Sequence, residues 1–131
     1  MHGMPRKKSH LLDAHRQLQE LMPETHKRFY ENLKLLHIEG DYGFVHAGIR
    51  PGIALKRQQE DDVLWIRDEF TSCQRQHEKI IVHGHTVSRE PDVRSNRIGI
   101  DTGAYCTGKL TCLVLEGGAR RFITARLAAS D

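Results

Sequence analysis

Histidine stands twice where an apolar run gives out into glycine, in Val45-His46-Ala47-Gly48 and in Val82-His83-Gly84-His85-Thr86. An imidazole at the end of a buried strand is carried to the edge of a sheet, and in its neutral form it is the commonest protein metal ligand. Glycine beside it lets a ligand approach the backbone. The two segments lie far apart in the chain, but neighbouring parallel strands would bring their ends together, so a divalent-metal site is the leading expectation. Taken alone, His46 reads as a hydrogen-bonded structural group. The His-Gly-His run is the stronger signal, because in an extended chain His83 and His85 point to the same side.

Arg67, in Leu64-Trp65-Ile66-Arg67-Asp68, offers a planar fork that matches phosphate oxygens. Its ordinary role would be an exposed helix arginine paired with Asp68 or Glu69. Tyr105 follows a glycine turn in Asp101-Thr102-Gly103-Ala104-Tyr105, where a phenol can meet a substrate oxygen or cap the core. Asp101 reads first as a turn cap and second as a carboxylate orienting a histidine. His2, His10, His15, His26, His37 and His77 show no ligand spacing.

The elements that must position these groups can be read from pattern. Leu11, Ala14, Leu18 and Leu21 keep helical spacing behind Ser9, a candidate N-cap, and Pro23 ends that helix and opens another in which Phe29, Leu33 and Leu36 share a face. Both stripes are expected to pack into a core. Gly40-Asp41 turns a hairpin that delivers His46, and residues 47–60 read as a loop. Val63, Leu64, Ile66 and Phe70 line one short helix around Trp65. Strands follow at Lys79–Val82, Arg97–Asp101, Leu110–Leu115 and Arg121–Ala125. Two helices and then strands with short connections predict an α/β or α+β sheet, mainly antiparallel in its C-terminal part.

The chain has 131 residues, enough for one domain with a modest core. Residues 1–8 are expected to be a disordered tail and 9–131 the domain. With 20 basic and 17 acidic residues the charge is too even to argue for nucleic acid, and Arg6-Lys7-Lys8 reads as a solvated run. Three cysteines without CxxC spacing argue against a disulfide framework and for reduced thiols. No apolar run reaches the roughly 20 residues that cross a bilayer, and no secretory leader is visible. The expectation is a cytoplasmic protein with no membrane and no nucleic-acid partner.

Four segments taken in order, Gly40–Gly52, Asp61–Arg67, Ile81–Thr86 and Asn96–Tyr105, resemble the C-terminal half of the bacterial PPP-type serine/threonine protein phosphatases. These are calcineurin-like metallophosphoesterases, and the resemblance covers about residues 23–125. It implies an α/β fold, the C-terminal half of a β-sandwich flanked by helices. It also implies metal roles for His46 and His85, a phosphate contact for Arg67 and a place beside the substrate for Tyr105. The implied cofactor is a divalent metal, Mn²⁺ first and Fe²⁺ or Zn²⁺ as alternatives. In such sites two ions clamp the phosphate and make a bridging water nucleophilic at neutral pH.

The chain departs from the family pattern in lacking GDxHG, GDxxDRG and GNHE, which supply the other ligands. In Gly40-Asp41-Tyr42-Gly43, Gly43 stands where the first of these requires histidine. Hydrolysis of a phosphoprotein or other phosphate ester is therefore expected only with those ligands restored. They could come from the absent N-terminal half or from another chain completing the sheet. An inactive phosphoprotein-binding remnant and a dinucleoside polyphosphate hydrolase are the competing expectations.

Overall fold

A computed structural model describes residues 8–127 of the chain. The expected tail over 1–8 lies outside those residues except for Lys8, which opens the first helix. The chain divides into two compact units between Lys34 and Leu35.

The first unit holds α1 (Lys8–Leu21) and α2 (Glu24–Glu31). Pro23 separates them, and its carbonyl accepts the amides of His26 and Lys27 at 2.9 and 3.1 Å to start the second. Asn32 closes α2, its Nδ2 donating to the Arg28 carbonyl at 2.6 Å. Leu33 and Leu36 therefore lie beyond the helix they were expected to share with Phe29. The core packing expected of the stripes is realised only at Leu36, in the second unit: Leu11, Leu18, Leu21, Phe29 and Leu33 are exposed, and α2 buries no residue. Two short helices with a two-residue joint make no apolar layer of their own.

The second unit is built on a five-stranded mixed sheet, ordered β1-β2-β3-β5-β4. Strands β1 (Leu36–Glu39) and β2 (Tyr42–Val45) form the expected hairpin through Gly40-Asp41, with Gly40 at φ 52°. A two-residue hairpin turn requires that left-handed backbone, which glycine adopts without strain. Strand β3 (Ile80–His83) runs parallel to β2 and to β5 (Arg97–Gly99), while β4 (Asp92–Val93) pairs antiparallel at the edge. A separate antiparallel hairpin joins β6 (Lys109–Glu116) to β7 (Ala119–Arg126).

Between β2 and β3 the chain makes a 3₁₀ turn at Leu55–Arg57 and two helices, α3 (Glu60–Trp65) and α4 (Asp68–Thr71). The single helix expected around Trp65 is therefore broken. Ile66 leaves helical geometry at ψ 144°, and Arg67 sits at φ −130°, ψ −104°. Ala47, Ile49, Leu55, Ile66, Phe70 and Ile81 form the core, with Leu36 and Val45 against it. Ile66 is one of its buried members, and a continuous helix would carry its side chain round to another face.

One buried histidine, His83, and one half-buried histidine, His77, are expected to make this unit acid-sensitive. His83 packs edge-on against Phe70 at 4.9 Å, and His77 stacks on the same ring at 5.7 Å. Burial lowers the pKa of both below the ordinary 6.5. As pH falls through about 6.5 the unfolded chain takes up protons that the folded chain refuses, so stability is lost towards acid. We expect the urea midpoint to drop between pH 7.5 and pH 5, with a shallower drop in His83→Gln. A flat midpoint over that range would contradict this account.

Candidate metal and phosphate site

Parallel strands end on a common side, and in open α/β sheets that carboxyl edge is where ligands bind. Here β2, β3 and β5 are mutually parallel neighbours, so His46 (one residue past β2), His85 (two past β3) and Asp101 (two past β5) emerge together. The amide of Gly84 donates to the His46 carbonyl at 2.8 Å and ties the first two strand ends to each other. The rings of His46 and His85 lie with centroids 5.0 Å apart, inclined at 60°.

His85 adopts φ 61°, and it is the only non-glycine residue with positive φ among the described residues. That left-handed backbone costs a residue with a Cβ roughly 1–2 kcal/mol. It also removes the extended backbone on which the expectation that His83 and His85 point the same way was based. His83 is buried, its Nε2 3.4 Å from Arg97 Nη1, while Arg97 pairs with Asp92 at 2.7 Å. The His85 ring meets Trp65 edge-on at 5.9 Å, and its Nε2 is buried without a hydrogen-bond partner. A buried polar nitrogen left unpaired is costly. Burial first, then the neighbouring Arg67 cation, lowers the His85 pKa and favours the neutral, ligating form.

Arg67 joins this group from the break between α3 and α4, where its Nη1 donates to the His85 carbonyl at 3.4 Å. Its side chain is exposed and makes no ion pair with Asp68 or Glu69. Tyr105 is not brought to the imidazoles. It is 87% exposed, and only its neighbour Ala104 lines the cleft. Asp101 takes the turn-cap role, its Oδ1 accepting the Gly103 amide at 3.0 Å. Gly48 also differs from expectation. A Cβ on Gly48 would lie 2.3 Å from Phe70 Cδ1, so that glycine makes room for the core rather than for a ligand.

A cleft of about 380 Å³ runs along this edge, between Phe44, Val82, His46 and His85 on the sheet and Leu110 and Thr111 on β6. The unpaired Nε2 of His85 and the facing His46 ring suit two positions around a divalent cation. They do not make a whole site. Among the described residues no three His, Cys, Asp or Glu side chains converge as metal ligands. Trp65, packed on His85, is a site component that the sequence did not signal, because the contact depends on the break after α3.

No family model matches this chain, and no curated protein matches it by sequence. Its described residues contain no helix long and apolar enough to cross a membrane. Among solved structures it is similar to one described as a "putative diadenosine tetraphosphatase", at 21% identity and a TM-score of 0.61. The likeness spans 88% of this chain but 64% of that structure, and at such identity it is a likeness of fold: a mixed α/β architecture with the five-stranded sheet described above.

Proposed function

We propose that the edge formed by His46, His85 and Arg67 is the phosphate-handling part of a metal-dependent phosphoric ester hydrolase of the PPP-type serine/threonine phosphatase kind. The observation that carries this reading is the pairing of two imidazoles at the ends of adjacent parallel strands, one with a buried, unpaired nitrogen. His46 and His85 would hold one divalent ion, Mn²⁺ in the family that the motifs resemble. Such an ion supplies Lewis acidity and a nucleophilic water at neutral pH. Arg67, fixed beside His85, would grip a phosphate oxygen and offset its charge. Tyr105, which the resemblance sets beside the substrate, is 87% exposed and takes no part in this reading.

Two neutral ligands offset none of a dication's charge, and among the described residues no carboxylate completes a group of three ligands with them. In this reading the remaining donors come from another polypeptide segment, and turnover by this chain alone is weak or nil. The substrate is a phosphoprotein or another phosphate ester. The fold likeness to a protein described as a diadenosine tetraphosphatase brings dinucleoside polyphosphates into the same class without favouring them over phosphoserine peptides.

The test is hydrolysis of p-nitrophenyl phosphate with Mn²⁺, together with inorganic phosphate binding by calorimetry. We expect little turnover by the chain alone. Arg67→Ala should weaken phosphate binding about tenfold or more, the worth of one charge-assisted hydrogen bond. Full hydrolytic activity that survives loss of His46 and His85 would refute the ligand assignment.

A further inference from the structure

Arg67 is held by little of its own. Among the described residues its one side-chain hydrogen bond is the 3.4 Å contact to the His85 carbonyl, so its placement rests on the backbone between α3 and α4. That segment is gripped from outside by a second arginine. Arg50 Nε lies 2.9 and 3.0 Å from the two carboxylate oxygens of Asp62, and Nη2 lies 2.6 Å from Oδ1. Its Nη1 donates to Glu69 Oε2 at 2.7 Å. Asp62 belongs to α3 and Glu69 to α4, so one guanidinium spans the break that carries Arg67. The clamp is itself anchored. The Arg50 amide donates to Gln58 Oε1 at 2.8 Å, and Gln58 Nε2 donates to the carbonyls of Arg50 and Ile53 at 3.1 and 2.8 Å.

We propose that Arg50 is a positioning residue for Arg67, setting the angle at which its guanidinium meets a bound phosphate. The inference rests on the phosphate-gripping role proposed for Arg67. An isolated surface ion pair contributes little, but a planar fork engaging two carboxylates on different helices fixes direction as well as distance. Lysine, a point charge, cannot hold both acids in that geometry. Arg50 also links the chain just after His46 to the helices before β3, so it couples the two strand ends through the connecting segment.

The test is a double-mutant cycle read by titration of inorganic phosphate into the 131-residue chain. Arg50→Ala is expected to weaken phosphate binding about fivefold and Arg50→Lys by less. In an Arg67→Ala background, Arg50→Ala should change affinity no further. Glu69→Gln, which leaves the Asp62 contact intact, is expected to give a smaller loss and serves if Arg50→Ala fails to fold. Arg67→Ala reports separately on the underlying reading, and no effect there would sink that reading and this inference together. If Arg67→Ala weakens binding while the Arg50 and Glu69 variants bind like the parent, the positioning role is wrong. An undiminished Arg50→Ala effect without Arg67 would equally overturn it.

Discussion

Gly48→Ala should be among the most destabilising single substitutions in this chain. A methyl group at position 48 would lie 2.3, 2.7 and 2.8 Å from Cδ1, Cγ and Cε1 of Phe70. Phe70 is fully buried, and its ring cannot swing aside as the end of a flexible side chain could. It packs on His77 and His83 and within the cluster of Ala47, Ile49, Leu55, Ile66 and Ile81. Overpacking of this kind costs about 3 kcal/mol, a large share of the roughly 5–15 kcal/mol that holds a domain of this size together. The expected thermal shift is a fall of roughly 10–20 °C. Phe70→Leu in the Gly48→Ala background should recover part of that loss, because the two positions share one space. A Gly48→Ala melting point within about 2 °C of the parent would show that the ring yields cheaply. Because the residues just before Gly48 carry His46, the same substitution is expected to disturb the imidazole pair.

That glycine shows where the sequence could be read and where it could not. The run Phe44-Val45-His46 in front of it signals a strand ending in histidine, and the Gly40-Asp41 turn signals the hairpin behind it. Both are visible because strand alternation and turn chemistry are local. The apolar run Ile80-Ile81-Val82 likewise marks a buried strand, whose parallel partners put His46 and His85 at one edge. What Gly48 is for depends on Phe70, twenty-two residues later, and no local pattern reports such a contact.

The same limit hid the break between α3 and α4. One apolar stripe runs through Val63, Leu64, Ile66 and Phe70, and periodicity alone joins them into one helix. Asp68 and Glu69 could have marked a fresh helix start, since acidic residues favour a first turn. The break carries Arg67 beside His85 and leaves Trp65 66% exposed, so the same local backbone decides both the helix boundary and the site. The stripes of α1 and α2 fail for a different reason. Helical spacing predicts a face, but whether that face is covered depends on elements that spacing does not describe.

Metal affinity should stand or fall with the two imidazoles. His85→Asn keeps a side chain that tolerates left-handed backbone, so it removes the ligand without adding strain at φ 61°. His46→Gln, at an exposed position, removes the other. Each is expected to lower the affinity for a divalent ion at least about a hundredfold, because replacing groups that merely orient ligands already costs roughly 10–100-fold. Across metals the parent chain should bind Mn²⁺ most weakly and Zn²⁺ more tightly, following the general order for nitrogen donors. Preference in a completed site would then be set by the carboxylates that join the pair, since oxygen ligands suit Mn²⁺ better. Calorimetric titration with Zn²⁺ and Mn²⁺ at pH 7.5 measures this directly, and nitrogen-15 histidine spectra identify the ligating rings. His85 should respond first, since its Nε2 is buried and a cation there satisfies a nitrogen that no other described residue pairs. Unchanged affinity in His85→Asn would place any bound ion elsewhere and leave the paired strand ends as packing alone.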